Sequence, residues 1–191
     1  MINPASVAFD FDGVIADTMN LFLDIARSEY SIHGIRYDDI TCYTLADCLD
    51  IDPEILDEIG QKIIEGDYAV PLKSFEGAAE VLARLAECHS PVLCVTARPH
   101  SGPLGRWVQE NCFLDYHQME VVAIGTFDDK ASVLLDREIT YYVEDRLETC
   151  FALRDAGIVP ILFRQPWNRK PHQFTEVGSW AELERLIDFN G

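Results

Sequence analysis

Two carboxylates one residue apart, Asp10 and Asp12 in the stretch Val7-Ala8-Phe9-Asp10-Phe11-Asp12-Gly13, have the spacing in this chain that most directly supports chemistry. The apolar run before them is short enough for a buried strand. In extended backbone, side chains two apart point to the same side, so both acids face one small volume. Like charges so placed repel unless a cation or a shared proton intervenes. Gly13 lets the backbone turn sharply straight afterwards. That pattern suits a cation-assisted reaction. It also suits a plain strand exit, since Asp and Gly are common turn formers, and the rest of the chain decides between the two.

The elements that must position these acids can be read from periodicity. Behind Asp17-Thr18 as a helix N-cap, Met19, Phe22, Leu23, Ala26 and Tyr30 recur at three- and four-residue steps, with Gly34 as the expected stop. Residues 37–49 show no clear period, as either loop or short helix. Asp52-Pro53 is an N-cap with proline at the first helical position, and Ile55, Leu56, Ile59, Ile63 and Ile64 form one apolar face ending near Gly66. Residues 17–72 are therefore expected to be a small helical insert directly after the acidic strand.

From Phe75 onward helix and strand alternate. Strands are expected at 92–95, 121–124, 141–143 and 159–163, the last taken as the final strand, with Pro160 marking an edge or a strand start. Helices are expected at 78–86, 104–110, 130–135 and 147–156, and a last one behind the capping box Ser179 to Glu182. Strands with little alternation, separated by helices, predict an α/β fold: a parallel sheet covered on both faces, with its ligand site beyond the carboxyl ends of the strands.

Composition bounds the function. At 191 residues with 48% hydrophobic content, the chain can build one domain with a sizeable core. No apolar run approaches the ~20 residues that span a bilayer. The N-terminus lacks a basic region followed by a long apolar stretch, so the expected location is the cytoplasm, without membrane attachment. Six cysteines show no C-x-x-C pair and read as buried, reduced thiols. The five histidines show no ligand spacing. A net charge of −18 repels nucleic-acid backbones and argues against a polymeric nucleic-acid partner.

If the sheet is right, the carboxyl ends of its strands bring together Asp10 and Asp12; Thr96, Ala97 and Arg98; Lys130; and Glu144, Asp145 and Arg146. Arg164 and the turn-rich segment up to His172 follow the last strand, so Arg164, Arg169 and Lys170 are expected to add to a positive patch on an acidic body. Carboxylates for Mg²⁺ together with a hydroxyl and cations for non-bridging oxygens fit a phosphorylated substrate.

This order of residues resembles the haloacid dehalogenase superfamily of phosphohydrolases. Asp10-x-Asp12-Gly13 is similar to its first motif, Thr96 to the second, Lys130 to the third and Glu144-Asp145 to the fourth. The resemblance implies a Rossmann-like three-layer core over residues 1–16 and 73–191, and a small α-helical cap over 17–72. It implies that Asp10 is the nucleophile forming an aspartyl-phosphate and that Asp12 is the general acid and then base. It also implies Mg²⁺ held by Asp10, the Asp12 carbonyl and an acid of the fourth motif, Asp145 directly with Glu144 near the metal waters. Thr96, Ala97, Arg98 and Lys130 are implied to hold the phosphoryl group. Many members carry a further Asp past the fourth motif, where this chain has only Glu148.

The compact cap, Glu144-Asp145 and Trp167-Asn168 look most like the 5'(3')-deoxyribonucleotidase-like branch, which implies a small phosphorylated metabolite or nucleotide as partner. Trp167 either stacks a base or anchors its loop on the core. A phosphomutase or sugar phosphatase uses the same residues, and a phospho-accepting or catalytically silent binding domain is the reading from outside hydrolysis. A haloacid dehalogenation has no need of Asp12.

Overall fold

A computed structural model describes residues 1–189. A three-residue strand, β1 (Val7–Phe9), runs through the middle of a six-stranded sheet, and it ends one residue before Asp10. The helical insert follows as α1 (Thr18–Tyr30) and α2 (Pro53–Glu65). The α/β alternation then gives α3 (Ala78–Cys88), β2 (Val92–Thr96), α4 (Gly102–Asn111), β3 (Met119–Ala123), α5 (Lys130–Asp136), β4 (Tyr141–Glu144) and α6 (Leu147–Asp155). It closes with β5 (Val159–Phe163), β6 (Thr175–Val177) and α7 (Trp180–Glu184). Every pairing is parallel and the strand order is β3-β2-β1-β4-β5-β6.

Alternation along the strands sorts the helices into two outer layers. Val7, Phe9, Cys94, Val143 and Ile161 face one side, where they pack with Leu82 of α3 and with Trp180 and Leu183 of α7. Ala8, Leu93, Val95 and Tyr142 face the other side, against Leu134 of α5 and Leu153 of α6. Both faces of the central strands are buried, which explains their unbroken apolar runs.

The insert leaves and re-enters the sheet layer at a single point. Ala16 bridges Ser74 in antiparallel fashion, Asp17 N–H donates to Lys73 O (2.8 Å), and Phe75 N–H donates to Ile15 O (2.9 Å). Between these ends, α1 and α2 pack together, and their buried residues Leu21, Phe22, Ile25, Ile59 and Ile63 join the same apolar cluster as the sheet. Residues 37–49 contain two 3₁₀ turns, Tyr37–Asp39 and Leu45–Asp47.

Three expectations are corrected. Helix α1 ends at Ser31, which takes the left-handed conformation (φ 56°), rather than at Gly34. The strand after α6 is not last: β6 pairs outside it, so β5 is interior and Pro160 stands at its second position, opposite Tyr142. The sequence gives little sign of β6, because two of its three residues are exposed and polar. Of the six free cysteines, Cys94, Cys112 and Cys150 are buried, whereas Cys88 is exposed and Cys42 and Cys48 are partly so. Among the described residues, no helix is long and apolar enough to cross a membrane.

Candidate active site

The carboxyl ends of β1, β2 and β4 and the start of α5 converge beneath the insert. Asp10 continues the β1 ladder by one residue, its N–H donating to Val143 O (2.9 Å). Gly13 follows with φ 74°, and a Cβ there would lie 2.1 Å from Asp145 Oδ2. A side chain at 13 would therefore have to occupy the place of a carboxylate.

Lys130, the first residue of α5, is 1% exposed; its Nζ lies 3.0 Å from Asp10 Oδ1 and 2.7 Å from Glu144 Oε2. The other Glu144 oxygen, Oε1, accepts from the backbone N–H groups of Asp145 (3.0 Å) and Arg146 (2.9 Å). Asp145 is fixed from the loop after β5: Trp167 Nε1 donates to its Oδ2 (3.0 Å), and Asn168 Nδ2 donates to its carbonyl (2.7 Å). One carboxylate oxygen from each of Asp10, Glu144 and Asp145 lies within 4.8 Å of the others.

Asp12 is bound differently. Arg98 grips it with both prongs, Nε to Oδ2 (2.9 Å) and Nη2 to Oδ1 (2.6 Å), while the Thr18 hydroxyl donates to Oδ1. Thr96, at the end of β2, is 1% exposed and its Oγ1 accepts from Arg98 N–H (3.2 Å).

These surroundings push the two aspartates in opposite directions. Burial first, then the Glu144 charge, raise Asp10 well above the ordinary carboxylate range. Burial, Glu144 and Asp10 do the same to Asp145. Burial also works against ionised Asp12, but the Arg98 guanidinium and the Thr18 hydroxyl hold it below its usual value. Lys130 stays charged against burial because Asp10 and Glu144 flank it.

The cluster therefore sets one ammonium against three buried carboxylates, an arrangement that leaves negative charge uncompensated. An all-oxygen donor set of this kind fits a hard divalent cation such as Mg²⁺.

Beside this cluster opens a cavity of about 400 Å³ that reaches Asp10, Asp12, Thr96, Ala97 and Arg98. Its other walls are mostly apolar and come largely from the insert, with Phe22, Tyr43, Leu45 and Ile63 among them, while Phe127 closes the core side. Tyr43 and Phe127 meet edge to face (5.8 Å), and the Arg146 guanidinium lies 4.9 Å and 4.2 Å from their respective ring centroids.

Residues 3–190 match the family model described as "5' nucleotidase, deoxy (Pyrimidine), cytosolic type C protein". The chain belongs to this nucleotidase family. A curated relative, "Putative nucleotidase OB0422" of Oceanobacillus iheyensis, is 25% identical over 125 residues, which covers 63% of this chain and 64% of that protein. Solved structures share the fold of the nucleotidase-family chain. A haloacid-dehalogenase-superfamily hydrolase from Ehrlichia chaffeensis superposes with TM-score 0.56 at 15% identity over 97% of each chain. CbbY from Rhodobacter sphaeroides, solved with phosphate, gives TM-score 0.57 at 16% identity over 93% of this chain and 95% of that one. The superfamily resemblance carried by the four motifs thus agrees with the whole-chain comparisons.

Within this nucleotidase framework the sequence-derived residues Asp10, Asp12, Thr96, Ala97, Arg98, Lys130, Glu144 and Asp145 stand around one site. The expected positive patch does not form. Arg164 pairs with Glu176 (3.0 Å), Arg169 with Asp38 of the insert (3.1 Å) and Lys170 lies 3.8 Å from Glu148, so each loop cation meets an acid. Glu148 has a side chain 57% exposed and lies near Lys170 (3.8 Å) and Arg146 (3.9 Å). Trp167 is an anchor: it is 4% exposed and holds Asp145. Sequence reasoning missed Gln165, whose Nε2 donates to Gly13 O (2.7 Å) while its Oε1 accepts from Tyr37 OH (2.7 Å). It also missed Thr18 as a partner of Asp12, where only a capping role for Asp17-Thr18 was visible.

Proposed function

We propose that this protein is a Mg²⁺-dependent phosphomonoesterase that hydrolyses a nucleoside monophosphate through an aspartyl-phosphate on Asp10. The observation that carries this reading is the position of Asp10, 3.0 Å from the buried Lys130 ammonium and lining a cavity that also reaches Asp12 and Thr96. Asp10 attacks phosphorus, and the new P–O bond forms as the bond to the leaving oxygen breaks. Asp12, in its protonated form, gives its proton to that leaving oxygen and becomes the carboxylate that Arg98 and Thr18 stabilise. Water then attacks phosphorus and passes its proton to Asp12, and the bond to Asp10 breaks to release phosphate. Lys130 and Thr96, with Ala97 beside them, hold the phosphoryl oxygens, while the Arg98 guanidinium is taken up by Asp12 and Ile63. Asp10, the Asp12 carbonyl and Asp145, with Glu144 oriented by Lys130 behind them, are the residues that would hold Mg²⁺, which supplies charge neutralisation at the phosphoryl group. Residues 17–72 act as the cap that excludes water from the reacting centre.

The apolar walls support a nucleobase as the rest of the substrate. Aromatic and aliphatic side chains suit a planar ring face better than the hydroxyls of a sugar phosphate. A phosphomutase needs cationic donors for a second phosphate, yet the basic side chain lining the cavity, Arg98, is engaged by Asp12. The test is release of inorganic phosphate from a panel of ribo- and deoxyribonucleoside monophosphates and hexose phosphates, with Mg²⁺ and with EDTA. The reading requires metal-dependent release that favours nucleotides; preference for hexose phosphates overturns the substrate class, and metal-independent release overturns the mechanism.

A further inference from the structure

Arg98 belongs to the core by its backbone, two residues past the end of β2, yet its guanidinium reaches into the insert. Besides gripping Asp12, it donates through Nη1 to the carbonyl of Ile63 (3.0 Å). Ile63 lies in the last turn of α2, where helix carbonyls have no intrahelical partner. The N–H groups of Gly66 and Asp67 both go to Lys62 O, which leaves the Ile63 carbonyl to Arg98. The guanidinium also lies 5.3 Å from the Phe11 ring centroid, and the side chain is only 9% exposed.

The Asp12 carboxylate is thus tied to both helices of the insert. Thr18, at the start of α1, donates to it directly, and Arg98 links it to the end of α2. Arginine is suited to this link because a planar fork can hold a carboxylate bidentately while a third N–H points elsewhere, whereas a lysine ammonium offers a point charge without that fixed geometry. An insert that shifts away from the core loses the Ile63 bond, and with it one restraint on the direction in which Asp12 faces.

We infer that Arg98 is a positioning residue that couples the seating of the helical insert to the aim of the Asp12 carboxyl at the leaving oxygen. The inference rests on the phosphoryl-transfer reading, in which Asp12 delivers the leaving-group proton. Its signature is the leaving group. A nucleoside alkoxide needs that proton, whereas 2,4-dinitrophenolate departs without one, so losing the aim of Asp12 harms the first substrate selectively.

The experiment compares wild type, Arg98→Ala and Arg98→Lys on a nucleoside monophosphate and on 2,4-dinitrophenyl phosphate, and adds amide hydrogen exchange across residues 58–68. In Arg98→Ala, kcat on the nucleotide falls at least about 10-fold further than kcat on the dinitrophenyl ester, and amides at the end of α2 exchange faster. In Arg98→Lys the fold is kept, as judged by thermal unfolding, but the excess loss on the nucleotide persists. Equal kcat losses on both esters, or a rise in KM alone, make Arg98 a structural or phosphate-binding residue and overturn the inference. Unchanged exchange at the end of α2 overturns its insert half. Absence of wild-type turnover on either ester strikes instead at the phosphatase reading, and the exchange result still decides whether Arg98 holds the insert.

Discussion

Lys130 Nζ sits between Asp10 and Glu144, 3.0 Å from one carboxylate and 2.7 Å from the other, with 1% of its side chain exposed. This ammonium is what allows two acids to stand together at the end of a buried sheet. Removing one partner of a buried ionic cluster costs about 3–5 kcal/mol, because the remaining charges lose their compensation. Lys130→Met is therefore expected to lower stability by roughly that amount and to remove phosphatase activity. Urea unfolding followed by circular dichroism measures the first, and phosphate release measures the second.

Asp145 predicts the opposite sign for stability. Burial and the charges of Glu144 and Asp10 raise its pKa, and burial and Glu144 raise that of Asp10. Each folded-state value lies above the unfolded one, so the associated stability is present below about pH 4 and is lost as pH rises through the raised folded values. Asp12 and Glu144, held low despite burial by Arg98 and Lys130 respectively, contribute stability that is lost only toward the acid side. In EDTA, the wild type should lose melting temperature as pH rises above the ordinary carboxylate range of about 4. Asp145→Asn should show a shallower fall and melt about 2–4 °C higher at neutral pH, as for ~1 kcal/mol in a domain of this size. It should also lose the stabilisation that added Mg²⁺ gives the wild type. Thermal unfolding with and without metal reads all three.

How much of this could be seen in the sequence follows from the range of the interactions. Asp10, Asp12, Thr96, Lys130, Glu144 and Asp145 were legible because each stands at the end of an apolar run or the start of a helix, and parallel topology sends all such ends to one rim. The partners that orient them were not. Trp167 and Gln165 lie in a turn-rich segment without period, and they reach Asp145 and Gly13 across 22 and 152 positions. Arg164, Arg169 and Lys170 misled for the same reason: a list of cations after a strand does not show that Glu176, Asp38 and Glu148 will neutralise them. β6 escaped notice because a three-residue edge strand with one buried residue carries no alternation.

Trp167 yields a prediction specific to the metal. Its Nε1 holds Asp145 Oδ2, which leaves the other carboxylate oxygen for the proposed Mg²⁺. Trp167→Phe keeps the ring packed against Tyr37 but deletes that donor. Loss of such an orienting bond weakens metal binding by about 10–100-fold. A Mg²⁺ titration of the thermal shift should show the rise, with metal-free stability little changed.

The aromatic wall should set substrate preference. Tyr43 and Phe127, both lining the cavity, meet edge to face with Arg146 against both rings. A lost aromatic contact is worth about 0.5–1.5 kcal/mol. Tyr43→Ala should therefore raise KM for nucleoside monophosphates about 3–10-fold while leaving KM for glycerol phosphate nearly unchanged; steady-state kinetics on the two substrates checks this.

The central claim is that the Asp10 side chain takes up phosphorus. Rapid acid quench during turnover of a nucleoside monophosphate, followed by peptide mass spectrometry, should find a phosphoryl group on Asp10 in the wild type, and neither that adduct nor phosphate release in Asp10→Asn. A folded Asp10→Asn protein that turns over at near the wild-type rate contradicts it.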